Sequence, residues 1–173
     1  MKRLFFAIPL PKEIKKQINY SFPPKSFHGI RWIGEEDMHI TVHFLGATGE
    51  EELPQVLKKA EGVCESVFSF ELKFASYKTI VKDRKPIMVW AQFEENNTFE
   101  DICLKFRESF PTEEKRKPAP HLTLARIKQL HKLPFDLPKE FPFSFIAHEI
   151  DLMVSQLHAD GAKYELVKSW YLN

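Results

Sequence analysis

Two short segments of the chain carry side chains suited to acid–base chemistry, in the same arrangement. Residues 39–42 read His-Ile-Thr-Val, and residues 121–124, which begin 82 positions later, read His-Leu-Thr-Leu. Each alternates polar and aliphatic residues, which is the pattern of a half-buried β-strand. Because residues i and i+2 of a strand point to the same side, each segment presents an imidazole beside a hydroxyl. The repetition predicts two His-Thr pairs around one site.

Two such pairs suit a displacement at phosphorus. The attacking and leaving oxygens lie roughly in line, so one imidazole can accept a proton from the incoming oxygen while the other protonates the departing one. The ordinary imidazole pKa of about 6.5 permits both roles near neutrality. Threonine hydroxyls can donate to the phosphoryl oxygens, where negative charge accumulates. This arrangement requires no metal, and the sequence has no acidic cluster of the two-metal nuclease type.

The elements that position these segments also occur twice. Residues 4–8 and 86–93 are short apolar runs typical of strands, and a helical pattern follows each of them. The His-x-Thr strand comes next in both halves. The repeated order of strand, helix and His-x-Thr strand predicts an internal duplication at approximately residues 1–85 and 86–173.

A duplicated unit normally folds with approximate two-fold symmetry. No Gly/Ser-rich linker separates the halves, so we expect one bilobal domain over residues 1–173. The predicted class is α+β, with mostly antiparallel sheets lining a central groove and helices on the outer faces. The symmetry is expected to bring the two His-x-Thr strands face to face across that groove.

Composition and charge narrow the class of protein. The 25 basic and 24 acidic residues nearly cancel, so any contact with nucleic acid must come from a local basic patch. No stretch approaches the roughly 18 apolar residues of a membrane span. Cys64 and Cys103 occupy apolar helical positions without a CxxC partner, which indicates reduced thiols. We expect a soluble, cytoplasmic monomer with no membrane partner.

The two motifs and their flanks resemble those of the 2H phosphoesterases. More narrowly, they are similar to the bacterial and archaeal RNA 2′,3′-cyclic phosphodiesterases, long labelled 2′-5′ RNA ligases. The likeness spans nearly the whole chain. Besides the motifs, it includes residues 3–11, Arg31-Trp32, Phe44-Leu45-Gly46, Ser155 and residues 161–164.

The resemblance implies a function for the groove. It implies hydrolysis of a 2′,3′-cyclic phosphate at an RNA 3′ end to a 2′-phosphate, without a metal or other cofactor. His39 and His121 become the catalytic pair, and Thr41 and Thr123 bind the phosphate. Because the bond to O3′ breaks in such a reaction, one histidine must protonate O3′ while the other activates water. We expect His39 to act as the acid and His121 as the base.

Two further residues are candidates for substrate binding. Arg126 matches a family arginine that assists phosphate binding, although strict alternation points it away from His121 and Thr123. Either the strand twists or bulges there, or the arginine is structural. His43 stands where the family usually has arginine or lysine. It shares the parity of His39, so we expect it to line the groove.

Three other features have two open interpretations each. The basic residues 115–117, shortly before the second motif, either contact the RNA backbone or form a solvated surface. Trp32 and Phe44 either stack on a terminal base or pack in the core.

Two alternative functions remain open on sequence grounds. One is a 2H enzyme acting on another substrate, either a small cyclic nucleotide or a 2′-5′ linkage that it joins reversibly. The other is a non-catalytic RNA-binding module that keeps the fold. The intact histidine and threonine in both copies argue against the second alternative, because a binding module needs no pair of imidazoles.

Overall fold

The computed structural model describes residues 1–22, 27–128, 130–138, 143–158 and 161–173, without the side chains of residues 157 and 158. Its strands are β1 (Lys2–Pro9), β2 (Ile30–Trp32), β3 (His39–Thr48), β4 (Phe70–Lys82), β5 (Lys85–Phe93), β6 (His121–Ile127), β7 (Ser144–Ala147), β8 (Glu149–His158) and β9 (Gly161–Tyr171). Its α-helices are α1 (Lys12–Ser21), α2 (Leu53–Cys64) and α3 (Asn97–Ser109), and short 3₁₀ turns span Glu35–Asp37 and Glu50–Glu52.

The strands form one curled antiparallel sheet in the order β7-β4-β5-β6-β3-β1-β8-β9, and β2 pairs with β6 beside this path. The predicted α+β class with antiparallel strands is confirmed. Four strands of this path lie on each side of the junction between β3 and β6. Each side mixes strands of both sequence halves, because β4 lies on the β6 side and β8 and β9 lie on the β3 side. The duplication at approximately residues 1–85 and 86–173 stays a prediction.

The two His-x-Thr strands lie side by side, so the expectation that they face each other across the groove is wrong. β3 and β6 are neighbours in the sheet and pair antiparallel at Ile40 and Leu122. The contact is a single bridge, and beyond it β6 pairs with β2 at residues 125–127. Both motifs consequently belong to one continuous surface.

A buried core lies against the sheet. The apolar run from Leu4 to Ile8 is buried throughout because β1 is an inner strand, between β3 and β8. α3 of the second half crosses to the first half, where the Phe106 ring lies 4.3 Å from that of Phe6. We call the side of the sheet on which Phe6 contacts α3 the helix face.

Local capping and side-chain burial fit these elements. α3 begins after Asn96, whose side chain accepts a hydrogen bond from the backbone N–H of Phe99 at 2.9 Å.

Cys64 and Cys103 are buried free thiols, and burial raises the pKa of each to about 12. Within the described ranges, no helix is both long and apolar enough to cross a membrane.

Candidate active site

The junction between β3 and β6 brings the two motifs together. Ile40 and Leu122, which form the bridge, are almost completely buried. In an antiparallel pair, this register sets His39 opposite Thr123, and the same relation holds with the strands exchanged. The motif histidines and threonines therefore share one face of the sheet, which we call the groove face.

The same register estimates how far apart the histidines lie. His39 and His121 are diagonal neighbours across the pair, a relation that places the Cα atoms of such residues about 7–8 Å apart in a regular sheet. The charge on His121 is close enough to lower the pKa of His39. Two imidazoles at this separation can flank a single phosphate group.

Both imidazoles are oriented by the same kind of hydrogen bond. The Nδ1–H of His39 donates to the carbonyl of Asp37, and that of His121 donates to the carbonyl of Ala119, each at 2.8 Å. A carbonyl oxygen only accepts, so the neutral rings carry their proton on Nδ1. Nε2 of each ring is then left as the atom that exchanges a proton with substrate.

The segment before His121 is held by a side chain of β5. The Gln92 amide donates to the carbonyl of Pro120 at 2.9 Å and to that of Phe93 at 3.2 Å. These contacts attach the residue preceding His121 to the neighbouring strand. They stabilise the position from which the imidazole enters the groove.

The electrostatic surroundings favour neutral imidazoles in the free protein. Burial lowers the pKa of His39 to about 4, and the positive charges of Lys15 and Arg126 add to this effect. Burial also lowers the pKa of His121, with a further contribution from Arg116.

The two rings have different aromatic neighbours. His121 stacks on Trp90, with ring centroids 3.7 Å apart and an angle of 17° between the planes. His39 instead contacts Tyr164 edge-on at 4.8 Å and Phe5 at a tilt at 4.9 Å. Sequence reasoning did not assign roles to these aromatic residues. Trp90 lies in the predicted strand 86–93, but only the register of β5 on β6 identifies the face it occupies.

A β-bulge in β6 turns Arg126 towards the groove face. Thr123 and Ala125 pair with consecutive residues of β5, so Leu124 is the extra residue. Leu124 and Ala125 are both buried, and Arg126 is exposed. Of the two interpretations of Arg126, the structure supports the one in which a bulge turns the side chain. The guanidinium lies 3.9 Å from Met88 Sδ and is close enough to His39 to affect its pKa.

A matching bulge in β3 turns His43 away from the groove, so the expectation that it lines the groove is wrong. Thr41 and His43 pair with consecutive residues of β1, which leaves Val42 as the extra residue. Val42 and His43 are both buried. His43 Nε2 donates to the carbonyl of Phe110, 2.8 Å away at the end of α3. His43 therefore packs on the helix face.

The aromatic candidates for base stacking differ in exposure. Phe44, which follows the bulge, is 63% exposed and lies 5.6 Å from the ring of Phe5. Trp32 is partly buried and packs against Phe22 and Phe135 beside the core. Of the two rings, that of Phe44 is the more exposed.

The basic residues 115–117 are partly neutralised by carboxylates. Arg116 forms an ion pair with Glu114, and Lys117 pairs with Glu95 at 3.2 Å and Glu100 at 3.8 Å. These exposed pairs favour the solvated interpretation of the segment. In the part of the chain that the structure describes, no three His, Cys, Asp or Glu side chains group so as to hold a metal ion.

Comparison with known proteins places this geometry in a family. Residues 8–90 match the profile described as LigT like Phosphoesterase. The chain is also 30% identical to RNA 2′,3′-cyclic phosphodiesterase of Methanocaldococcus jannaschii, in an alignment that covers 97% of this chain and 99% of that protein. The chain belongs to the LigT-like phosphoesterase family.

Solved structures extend the LigT-like assignment over the whole sheet. The protein TT0787 of Thermus thermophilus superposes with a TM-score of 0.84 at 23% identity, covering 98% of this chain and 97% of that one. Escherichia coli LigT complexed with 3′-AMP superposes with a TM-score of 0.80 at 25% identity, covering 99% and 98%. The LigT-like fold therefore includes the second His-x-Thr strand, which lies beyond residue 90.

Proposed function

We propose that this LigT-like phosphoesterase hydrolyses the 2′,3′-cyclic phosphate at the 3′ end of RNA to a 2′-phosphate, by two-histidine acid–base catalysis without a metal. The observation that carries the proposal is the pair of imidazoles, His39 and His121, on one groove face with matching Nδ1 anchors. The name of the Methanocaldococcus jannaschii relative, RNA 2′,3′-cyclic phosphodiesterase, supports the substrate class.

The proposed step is an in-line displacement. Water attacks phosphorus and gives a proton to Nε2 of one histidine, while the bond from phosphorus to O3′ breaks and O3′ takes a proton from the other. We assign His39 as the acid and His121 as the base. Burial lowers the pKa of His39 to about 4, so its ring, once protonated, is a strong acid towards O3′. A bound phosphate anion raises the pKa of a neighbouring imidazole, which favours the one proton that the pair must hold.

Three other groups bind the phosphate in this proposal. Thr41 and Thr123 lie on the groove face beside the histidines and donate hydrogen bonds to the phosphoryl oxygens. Arg126 supplies a permanent positive charge, which the bulge in β6 directs to the same face. His43 has no part in binding, since it packs against Phe110. The monomeric state and cytoplasmic location stay predictions.

A defined RNA substrate tests the proposal. An oligonucleotide ending in a 2′,3′-cyclic phosphate is incubated with the protein in EDTA, and the ends are analysed by mass and by resistance to phosphatases specific for 3′-phosphates. We expect one molecule of water to be added and a 2′-phosphate to form. A 3′-phosphate product would contradict the assignment of the bond that breaks, and activity lost in EDTA would contradict the metal-free mechanism.

A small cyclic nucleotide is the second candidate substrate. It is favoured by the complex of Escherichia coli LigT with 3′-AMP, a single nucleotide, in a structure similar to this one. Parallel assays with 2′,3′-cyclic AMP and with the oligonucleotide separate the two candidates through kcat/KM. Binding of both without turnover would instead favour a non-catalytic module.

A further inference from the structure

The closest ring contact at the candidate site joins Trp90 of β5 to His121 of β6. Trp90 pairs with Thr123 in the sheet, so its side chain is the diagonal neighbour of His121. The rings are nearly parallel, at 17°, with centroids 3.7 Å apart. The imidazole therefore lies directly over the π face of the indole.

This contact breaks the approximate symmetry of the two histidines. His39 meets Tyr164 at 83° and Phe5 at 42°, so neither neighbour is stacked parallel to it. The backbone anchors of the two histidines are the same. The two histidines therefore differ in that only the His121 ring lies on an indole face, which affects the charge that this ring can carry.

We propose that Trp90 is a positioning residue of the reaction, which holds the His121 ring and stabilises the positive charge that this ring acquires on taking a proton from water. The inference rests on the proposed function and extends it to a residue that touches neither the phosphate nor the nucleophile. A cation over the face of tryptophan is attracted by the ring quadrupole, and more strongly where water is excluded.

The proton balance explains why the stack favours catalysis. As the oxygen of water bonds to phosphorus, its proton moves to His121 Nε2; as the bond from phosphorus to O3′ breaks, O3′ takes the proton of His39. His121 thus becomes charged in the transition state while His39 loses its charge. An indole face on His121 stabilises the transition state more than the ground state, which raises kcat.

The other groups near His121 act in both directions on its charge. The positive charge of Arg116, in the preceding loop, opposes protonation of His121. Burial opposes it as well, and the carbonyl of Ala119 favours it. Trp90 adds a second favourable contact, from the face of the ring.

Two substitutions separate the π face from simple packing. Trp90→Phe keeps an aromatic face, whereas Trp90→Leu keeps an apolar neighbour without one. The buried indole N–H has no hydrogen-bond partner in the described part of the chain, so neither change breaks such a bond. Trp32→Leu is the matched control, because Trp32 packs against Phe22 and Phe135 and has no ring contact with His121 among the described residues.

Two measurements test the inference. The pKa of His121 is measured by NMR titration of its ring protons without substrate, with His121→Ala used to assign the signal. For Trp90→Leu we expect a pKa about one unit lower and a kcat about tenfold lower, with KM changed less than twofold. For Trp90→Phe we expect a His121 pKa and a kcat between those of Trp90→Leu and wild type. Trp32→Leu is expected to leave the His121 pKa unchanged.

The outcomes distinguish this inference from the proposed function. A wild-type protein that does not hydrolyse the RNA cyclic phosphate contradicts the proposed function, and the order of His121 pKa values still tests the stack. An unchanged His121 pKa in both Trp90 variants overturns the inference, as does equal loss of kcat in both without a pKa shift. If Trp90→Leu does not fold, Trp90→Phe tests the inference alone. A lower His121 pKa and a lower kcat in Trp90→Phe support it, and unchanged values of both overturn it.

Discussion

Phe44 and Arg126 occupy equivalent positions on the two His-x-Thr strands. Each is the fifth residue after its motif histidine and becomes exposed immediately after a one-residue bulge. One strand therefore presents an aromatic ring to the groove where the other presents a cation. This difference distinguishes the two sides of a site whose two His-Thr pairs are otherwise alike in sequence.

Arg126 is expected to contribute mainly to the chemical step. Arg126→Gln removes the charge that faces the developing negative charge on phosphate, so we expect kcat to fall on the order of 10²-fold. Arg126→Lys should recover part of it, because a point charge remains without the bidentate geometry. Steady-state kinetics check this, with the exposed turn residue Arg84→Gln as control. A loss below threefold in Arg126→Gln would place the arginine outside the reaction.

Phe44 is expected to act on binding of the nucleotide. Phe44→Leu removes a ring for base stacking, a contact worth about 1–3 kcal/mol per base, so KM should rise by about tenfold at nearly constant kcat. Phe44→Tyr should keep the wild-type KM. Phe68→Leu, at another exposed phenylalanine, is the control. An unchanged KM in Phe44→Leu would show that the base lies elsewhere.

The two motif histidines are expected to be separately essential. His39→Ala and His121→Ala each remove one proton-transfer group, a role typically worth ~10²–10⁴ in rate. We expect turnover to fall by this order with the far-UV circular dichroism spectrum unchanged. His131→Ala, at an exposed histidine, should retain wild-type activity. Rates within threefold of wild type for either motif variant would overturn the acid–base assignment.

His43 is expected to affect stability rather than activity. His43→Ala leaves the carbonyl of Phe110 without its donor and opens space in the helix face, so we expect a loss of about 1–3 kcal/mol in the free energy of unfolding. Urea denaturation measures this loss. His43→Gln, which keeps a donor, should lose less, and kcat/KM of both should stay within twofold of wild type. A selective rise in KM would return His43 to the groove.

The pH profile follows from the lowered pKa values of both histidines. The active form holds one proton on the pair, so kcat/KM should rise with pH through about 4 and fall again through the higher pKa. Because burial lowers the pKa of His121 as well, that second limb is expected below the ordinary imidazole value of about 6.5. Initial rates at low substrate concentration between pH 3 and about 9 measure both limbs. A descending limb above pH 7 would contradict the pKa depression at His121.

The family, the fold class and the motif residues were predictable from sequence for a local reason. The alternation around His39 and His121 defines a strand with two faces over three residues, before any bulge occurs. The repeated order of elements then predicted one groove for both motifs. The flanks of the motifs supported the LigT-like resemblance, which the comparisons confirmed.

The orientation of residues beyond the motifs depended on the tertiary structure. The extra residues Val42 and Leu124 reverse the alternation, so that His43 turns to the helices and Arg126 to the groove. After a one-residue bulge, the next side chains of the strand point to the face opposite to the one that strict alternation predicts. The hydrophobic pattern alone does not show where such a bulge occurs.

The sequence alone therefore determined the two His-Thr pairs, because the alternation of side chains along a strand depends only on neighbouring residues. Only the tertiary structure decided that the two motif strands pair directly and that Trp90 lies on His121. Those contacts depend on the register between strands distant in sequence, which packing and backbone hydrogen bonds select together.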